Sequence, residues 1–380
     1  MRIVRARPSE YDRIQRFLED VYGHGFNYFP SAYPSVWERE NTDFRNIFVI
    51  REDKKIVSLV RIFPLNTVQG GVDVDLAGIG AVSTLYSHRG KGYMGLLLQH
   101  TFEEMKKRNF PLSILGGDRH RYNNFGYEDG GRVLELNVRS RGLQKYRVRS
   151  VSAKRYAPSD KNVLRKIMSA SEKQNYRKKR TLQDFEEVYK KQGIGVYYAE
   201  EGMRFAFVVV SATESGDPGI KKIMELGGNA ELIPGILQHL MERFGFTGFD
   251  IIFPDIRDVP HCLLAIASSW NIRSELMIKI INLKETLELF SRQKDFLFPE
   301  NEELTLTIKD KESVVISKKG GILKIICGKG KNEVALTEIE MVRLLFGTSL
   351  WVPEGIDRNV IQIVKQFLPL NIYLPRLDMI

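Results

Sequence analysis

LAGIGAVSTLYSHRGKGYM, residues Leu76 to Met94, decides how the rest of the chain is read. An apolar, β-leaning run from Ile79 to Leu85 stops at Ser87-His88, and the basic turn Arg89-Gly90-Lys91-Gly92 follows. A helical pattern then starts at once, with Met94, Leu97, Leu98, Phe102 and Met105 on one face. The first amides of a helix have no partners inside it and point outward, and the peptide dipoles add partial positive charge there. An anion at that position gains about 0.3–1 kcal/mol. Gly90 and Gly92 remove side chains that would hold an anion off the backbone, and Arg89 and Lys91 supply charged donors. The stretch therefore suits a diphosphate. An ordinary strand–helix connection has the same six residues, so the context has to decide.

The spacing excludes G-x-x-x-x-G-K-[ST], and no G-x-G-x-x-G with a following acidic strand end is present. Arg89-Gly90-Lys91-Gly92-Tyr93-Met94 instead resembles the Arg/Gln-x-x-Gly-x-Gly/Ala signature of the GCN5-related N-acetyltransferases (GNAT). Met94 stands where most of that superfamily has glycine or alanine, and in this it resembles the Eis (enhanced intracellular survival) branch. About 30 residues on, Tyr122-Asn123-Asn124-Phe125-Gly126-Tyr127-Glu128 is similar to the closing motif of the same core. Two motifs in the right order are far more specific than either alone.

Composition sets wider bounds. The 380 residues are enough for two or three domains, and 43% hydrophobic residues with 27% charged is ordinary for a globular chain. No apolar run approaches the roughly 20 residues that span a bilayer, and Met1–Arg13 has no signal-peptide core, so a cytoplasmic protein without membrane contact is expected. Cys262 and Cys327 are far apart and read as buried thiols. No metal is expected, and His88, His100 and His120 read as surface or packing residues.

The net charge of +10 is local: Arg139–Arg180 holds 15 Lys/Arg against Asp160 and Glu172. Such a segment serves nucleic acid, an acidic partner or anion steering, or is simply a solvated linker and helix face. No nucleic-acid motif accompanies it, so nucleic acid is not the expected partner.

In chain order, a short strand at Arg2–Arg5 precedes a helix with Ile14, Phe17, Leu18, Val21 and Tyr22 on one face. Phe26, Tyr28, Phe29, Tyr33 and Trp37 follow, interrupted by Pro30 and Pro34. Paired strands are predicted at Phe48–Arg51 and Ile56–Phe63, a third at Asn66–Val68, and another at Pro111–Leu115. After the basic segment the order restarts: a helix capped by Asp160, a hairpin turning at Glu201-Gly202, a strand at Ile223–Leu226, and a helix through Leu240. Here Gly227-Gly228-Asn229-Ala230-Glu231 replaces the basic turn, and Glu231 would repel a phosphate. Alternating strands at Leu304–Ile308, Val314–Ile316 and Leu323–Ile325, then a helix opened by the capping box Thr337-x-x-Glu340, form a third part. The fold class expected is α+β: two tandem GNAT-like folds, 1–145 and 146–283, the second degenerate, then a part similar to the sterol-carrier-like module of Eis-type proteins, 284–380.

The resemblance implies a function and a site. Val82-Ser83-Thr84 would offer a splayed strand edge to the pantetheine and thioester of acetyl-coenzyme A. Arg89, Gly90, Lys91, Gly92, Tyr93, Met94 and Gly95, with Gly117 and Asp118, would hold the coenzyme. Tyr122 matches the tyrosine proposed as general acid in Eis-type enzymes, and a phenol with pKa near 10 is protonated at neutral pH. The terminal carboxylate of Ile380 matches the group that assists amine deprotonation there, and Asp378 is a second candidate. The region around Phe26–Trp37 would wall the acceptor site, with Glu38, Glu40 and Asp43 available to a cation. The implied reaction is acetyl transfer to a primary amine such as an aminoglycoside, a polyamine or lysine, and the same resemblance implies a homo-oligomer built on trimers, such as a hexamer. Two alternatives stay open: a non-catalytic coenzyme A or lipid binder, and a binder of nucleic acid or an acidic partner through Arg139–Arg180.

Overall fold

The structure, a computed structural model, describes residues 2–211 and 219–379. Its first half runs through β1 (Ile3–Arg5), the helix Tyr11–Tyr22, β2 (Ile47–Glu52), β3 (Lys55–Gln69), β4 (Val72–Thr84), the helix Tyr93–Lys107, β5 (Leu112–Leu115) and β6 (Glu128–Arg139). Strands β1 to β4 form an antiparallel meander, and the helix lets the chain return parallel to β4 as β5. Leu97, Leu98, Thr101, Phe102 and Met105 are the buried face of that helix, as the spacing predicts. Between the first helix and β2 lie two short helices, Tyr28–Ala32 and Pro34–Trp37, the second opened by its proline.

The strand expected at Asn66–Val68 is not separate. β3 runs unbroken through Pro64. Pairing with β2 ends at Ile47↔Arg61, so Pro64 bonds only toward β4, opposite Ala77, and its missing N–H leaves no ladder bond unmade on the open edge.

The second half repeats this order with β7 (Lys154–Arg155), the helix Lys161–Glu172, β8 (Arg177–Lys178), β9 (Ile194–Glu201), β10 (Arg204–Ser211), β11 (Ile220–Gly228), the helix Ile233–Phe244, β12 (Gly248–Phe253) parallel to β11, and β13 (Ala267–Ile280). Among the described residues one sheet of 13 strands joins both halves, in the order β1-β2-β3-β4-β5-β13-β6-β12-β11-β10-β9-β7, with β8 on β3. The last strand of each half pairs with the parallel pair of the other: β13 lies on β5 and β6 lies on β12. The strand β6 that follows the Tyr122–Glu128 segment pairs not with a sequence neighbour but with β12 and β13. β13 ends at Ile280, and Leu283 already starts the helix Leu283–Phe290.

The C-terminal part holds a four-stranded sheet in the order β16 (Ile322–Cys327), β15 (Glu312–Lys319), β14 (Glu303–Ile308), β17 (Glu333–Leu336). The capping box forms, with Thr337 and Glu340 bonding each other's amides ahead of the helix Glu338–Phe346. Its core is continuous with the first half: Leu304, Leu306 and Phe346 pack in one cluster with Leu76, Ile114 and Ile278. Cys327, expected to be buried, is exposed on the edge strand β16, and Cys262 is half-buried.

The basic segment is dispersed by ion pairs: Arg139 meets Asp250 at 2.9 Å, Lys161 meets Glu186 at 2.5 Å, Lys166 meets Glu200 at 2.8 Å and Lys179 meets Asp73 at 2.6 Å. Arg180 is buried between Glu225, at 2.8 Å, and Asp378, at 2.5 Å. No helix among the described residues is long and apolar enough to cross a membrane.

Candidate active site

β4 and β5 pair only from Leu76↔Leu112 to Gly78↔Ile114. Beyond Gly78 the register of β4 against β3 shifts by one residue, and Ala81 takes φ +52°. Past this bulge the backbone of Val82, Ser83 and Thr84 pairs with β3 but has no ladder partner in β5, so β4 and β5 part here and leave an opening. Ser58 Oγ donates to Ser83 O at 2.9 Å and lies 2.8 Å from Thr84 Oγ1, which fastens this edge to β3.

At the base of the opening, the turn Arg89–Gly92 leads into the helix Tyr93–Lys107. Gly90 and Gly92 have φ +81° and +78°, the left-handed region that a side chain disfavours, and open space lies where a Cβ would stand. Among the described residues no side chain caps this helix, which leaves the amides of Tyr93, Met94 and Gly95 available to an anion. Gly95 rests on the Phe125 ring, 3.6 Å from its nearest carbon if a Cβ is built. These features fit a diphosphate.

Glu52, at the tip of the β2–β3 hairpin, joins this cradle, and no local motif reveals it. Its carboxylate accepts from Tyr93 Oη, lies 3.2 Å from His88 Nε2 and 3.5 Å from Lys91 Nζ. The Tyr93 hydrogen bond first, then Lys91 and His88, hold the Glu52 carboxyl below its usual range against partial desolvation. His88 is thus a bridge to Glu52 rather than a packing residue.

On the other side of the opening, Gly117 and Asp118 follow β5. Asp118 accepts from Arg121 N at 2.9 Å and so starts the short helix Arg119–Tyr122. A Cβ at Gly117 would lie 2.5 Å from the Tyr122 ring, so only glycine lets that ring settle there. Tyr122 is 8% exposed, and its ring shares a core cluster with Tyr93, Leu97 and Tyr127, on which Val82, Met94 and Phe125 also pack. Tyr127 is spent on structure, its hydroxyl 2.7 Å from Ser113 Oγ. Among the described residues the Tyr122 hydroxyl has no such partner. Burial raises its pKa, Arg121 opposing and Asp118 adding to the effect.

Tyr22 joins Tyr122 and Val82. The sequence periodicity places it on the buried helix face, yet it is 43% exposed and its hydroxyl donates to Val82 O at 3.2 Å. Desolvation, then the neighbouring Tyr122, push the Tyr22 hydroxyl up to about 12. Two protonated phenols therefore face the bulged end of β4.

The aromatic wall is partly core: Trp37 and Phe29 are buried, whereas Phe26 is exposed. Of the acids expected to meet a cation, Asp43 is taken up locally by Arg45 and Asn46. Asp378 is not free as a base either, being buried on Arg180. Ile380 lies outside the described residues. No group of three or more His, Cys, Asp or Glu among the described residues is placed to hold a metal ion.

Residues 2–130 match the family profile described as acetyltransferase (GNAT) domain. Those residues carry a GNAT acetyltransferase domain. No curated protein matches it. Among solved structures, this GNAT-bearing chain is similar to a probable N-acyltransferase from Enterococcus faecalis V583, with 19% identity, TM-score 0.73 and 100% and 99% of the two chains covered. A GCN5-related N-acetyltransferase from Anabaena variabilis ATCC 29413 gives 17% identity, TM-score 0.73 and full coverage of both chains. Eis1 from Mycobacterium abscessus gives 10% identity, TM-score 0.67 and 99% of each chain. At these identities the likeness is one of fold, and it extends over the whole chain.

Proposed function

We propose that the protein transfers an acetyl group from acetyl-coenzyme A to a primary amine. The observation that carries this reading is the parting of β4 and β5 beyond Gly78 beside a helix start without a side-chain cap, with Tyr122 packed in the same cluster and its hydroxyl unpartnered, both among the described residues. Arg89 to Gly95 would take the diphosphate, with Gly117 and Asp118 bordering the thiol end. The backbone of Val82 to Thr84 would hold the pantetheine and polarise the thioester carbonyl. The amine nitrogen attacks the carbonyl carbon, the C–S bond breaks, and Tyr122 Oη protonates the departing thiolate. The amine gives its proton to the terminal carboxylate of Ile380 or to water.

The second half is read as a degenerate repeat of the same fold, and the C-terminal part as a sterol-carrier-like module that closes the molecule. Both readings are supported by element order alone. A primary-amine acceptor, an aminoglycoside, polyamine or lysine side chain, suits the exposed aromatic rings of Tyr22 and Tyr28 at the mouth.

The test is thiol release from acetyl-coenzyme A with a panel of such amines, alongside calorimetry with coenzyme A. Amine-dependent release with saturable coenzyme binding supports the reading. Binding without release for any amine would reduce the protein to a coenzyme binder.

A further inference from the structure

The second half holds a cleft of its own. β11 and β12 pair only from Ile220↔Gly248 to Lys222↔Asp250, and an extra residue, Met224, bulges β11 where it leaves its partner. The resulting opening is topologically equivalent to the one between β4 and β5, and it contains a cavity of about 1070 Å³. Its walls are the helix Lys161–Glu172, the free edge of β11 and the end of β12, with Tyr373 and Pro375 at one end.

Its chemistry differs from that of the first cleft. Asn229 Oδ1 accepts from Glu231 N at 3.1 Å, and Pro234 stands in the first turn of the following helix. Asn229 thus caps the 3-10 turn Ala230–Leu232 that leads into the helix Ile233–Phe244, and Glu231 adds a carboxylate beside it, so this end does not invite a phosphate. The floor is apolar: Ile223, Ile233, Ile251, Ile252 and Phe253 are all buried. Glu225, the buried acid in the lining, is satisfied by Ser171 at 3.1 Å and Arg180 at 2.8 Å, so it does not ask a guest for a polar partner. At the rim, Lys166 and Arg204 are paired with Glu200 and Glu201. Arg165 and Lys173, both exposed on the same wall, have no carboxylate partner among the described residues.

We propose that this cleft binds a fatty carboxylate, with its chain on the Ile223–Ile251–Phe253 floor and its head group at Arg165 and Lys173. Apolar burial makes affinity grow with chain length, by up to about fourfold per methylene, and the two unpaired cations select for a negative head group. The volume is that of a site for a molecule of this size. The proposal does not rest on the coenzyme reading, because none of the Arg89–Gly95 residues lines this cleft.

The test is displacement of a fluorescent fatty acid from the full chain by decanoate, laurate and myristate, with dodecanol and dodecyltrimethylammonium as neutral and cationic counterparts. Affinity should rise along the carboxylate series, and laurate should exceed dodecanol by about fivefold or more. Ser169→Trp, placed on an exposed lining residue, should weaken all chains by about tenfold. Arg165→Glu with Lys173→Glu should abolish the laurate preference while sparing dodecanol. Absence of probe binding by the wild type would overturn the proposal, as would equal affinity for all three head groups. Probe binding untouched by Ser169→Trp at an unchanged melting temperature would place the fatty acid elsewhere.

Discussion

The Gln69 side chain holds both backbone groups of Tyr373: its Nε2 donates to Tyr373 O at 2.9 Å, and its Oε1 accepts from Tyr373 N at 2.9 Å. Gln69 is fully buried at the end of β3, 304 residues earlier in the chain. The C-terminal segment is thereby read as an extra strand would be, and neighbouring bonds extend the grip. Asn371 Oδ1 accepts from Arg132 N at 2.7 Å, its Nδ2 donates to Pro254 O at 2.7 Å, and Arg376 pairs with Glu135 at 3.1 Å. The last described residues are therefore seated between the halves rather than loose.

Gln69→Ala removes two hydrogen bonds and strands two buried backbone groups. It should lower stability by about 2–4 kcal/mol, read as a shift of the urea midpoint. If the terminal carboxylate assists catalysis, kcat should fall more than the KM for acetyl-coenzyme A changes.

Arg180 carries two buried carboxylates, Glu225 and Asp378. Arg180→Met would leave these acids facing each other without a cation, at a cost of about 3–5 kcal/mol. Burial, ahead of the opposing Arg180, already raises the Glu225 carboxyl in the native protein. An acid with a raised native pKa favours folding as pH falls through it, so the deficit of the variant should narrow as pH falls from neutral toward the ordinary glutamate range.

Glu128 follows the Tyr122 helix and joins it to the C-terminal part, accepting from Arg119 Nε at 2.5 Å and from Arg343 Nη2 at 2.6 Å. Burial works to raise its carboxyl, but Arg119, the Asp129 amide and Arg343 together depress it to about 2. Its stabilisation is therefore complete above the ordinary glutamate range and lost as pH falls from about 4.5 toward about 2. Glu128→Gln should flatten the fall of the melting temperature across that window and lower stability at neutral pH.

Tyr122→Phe should reduce kcat by about a hundredfold with little change in stability, because the ring is kept and the hydroxyl has no hydrogen-bond partner among the described residues. Its raised pKa predicts that wild-type activity does not decline through loss of this proton up to about pH 10. A titration of kcat falling with a midpoint well below that value would remove Tyr122 from the role of acid.

Gly92→Ala forces a side chain into φ +78° beside the free amides, at about 1–2 kcal/mol, and should weaken coenzyme A by more than tenfold. Glu52→Gln acts oppositely: it frees Lys91 and removes a carboxylate from the anion's surroundings, so coenzyme A should bind several-fold tighter at low salt. Calorimetry at two salt concentrations reads both.

The glycine turn and the helix after it were legible in the sequence because their determinants are local. Two glycines two residues apart, a strand before them and an apolar helical face after them define the turn, and the Tyr122–Gly126 segment is local in the same way. The capping box at Thr337 and Glu340 and the restart of the element order in the second half are equally short-range patterns. Periodicity is a property of neighbouring residues, so it survives without the fold.

Contacts between residues far apart in sequence were decided only by the tertiary structure. The placement of Glu52 on Lys91, of Tyr22 on Val82 and of Gln69 on Tyr373 has no signature in any single segment. The same holds for β13, which slots between β5 and β6 and fuses the halves into one sheet. Pro64 looked like a strand end until the absence of β2 beside it made a proline tolerable. A local pattern states what a segment can become, whereas burial and hydrogen-bond satisfaction across the whole chain select which partner it meets.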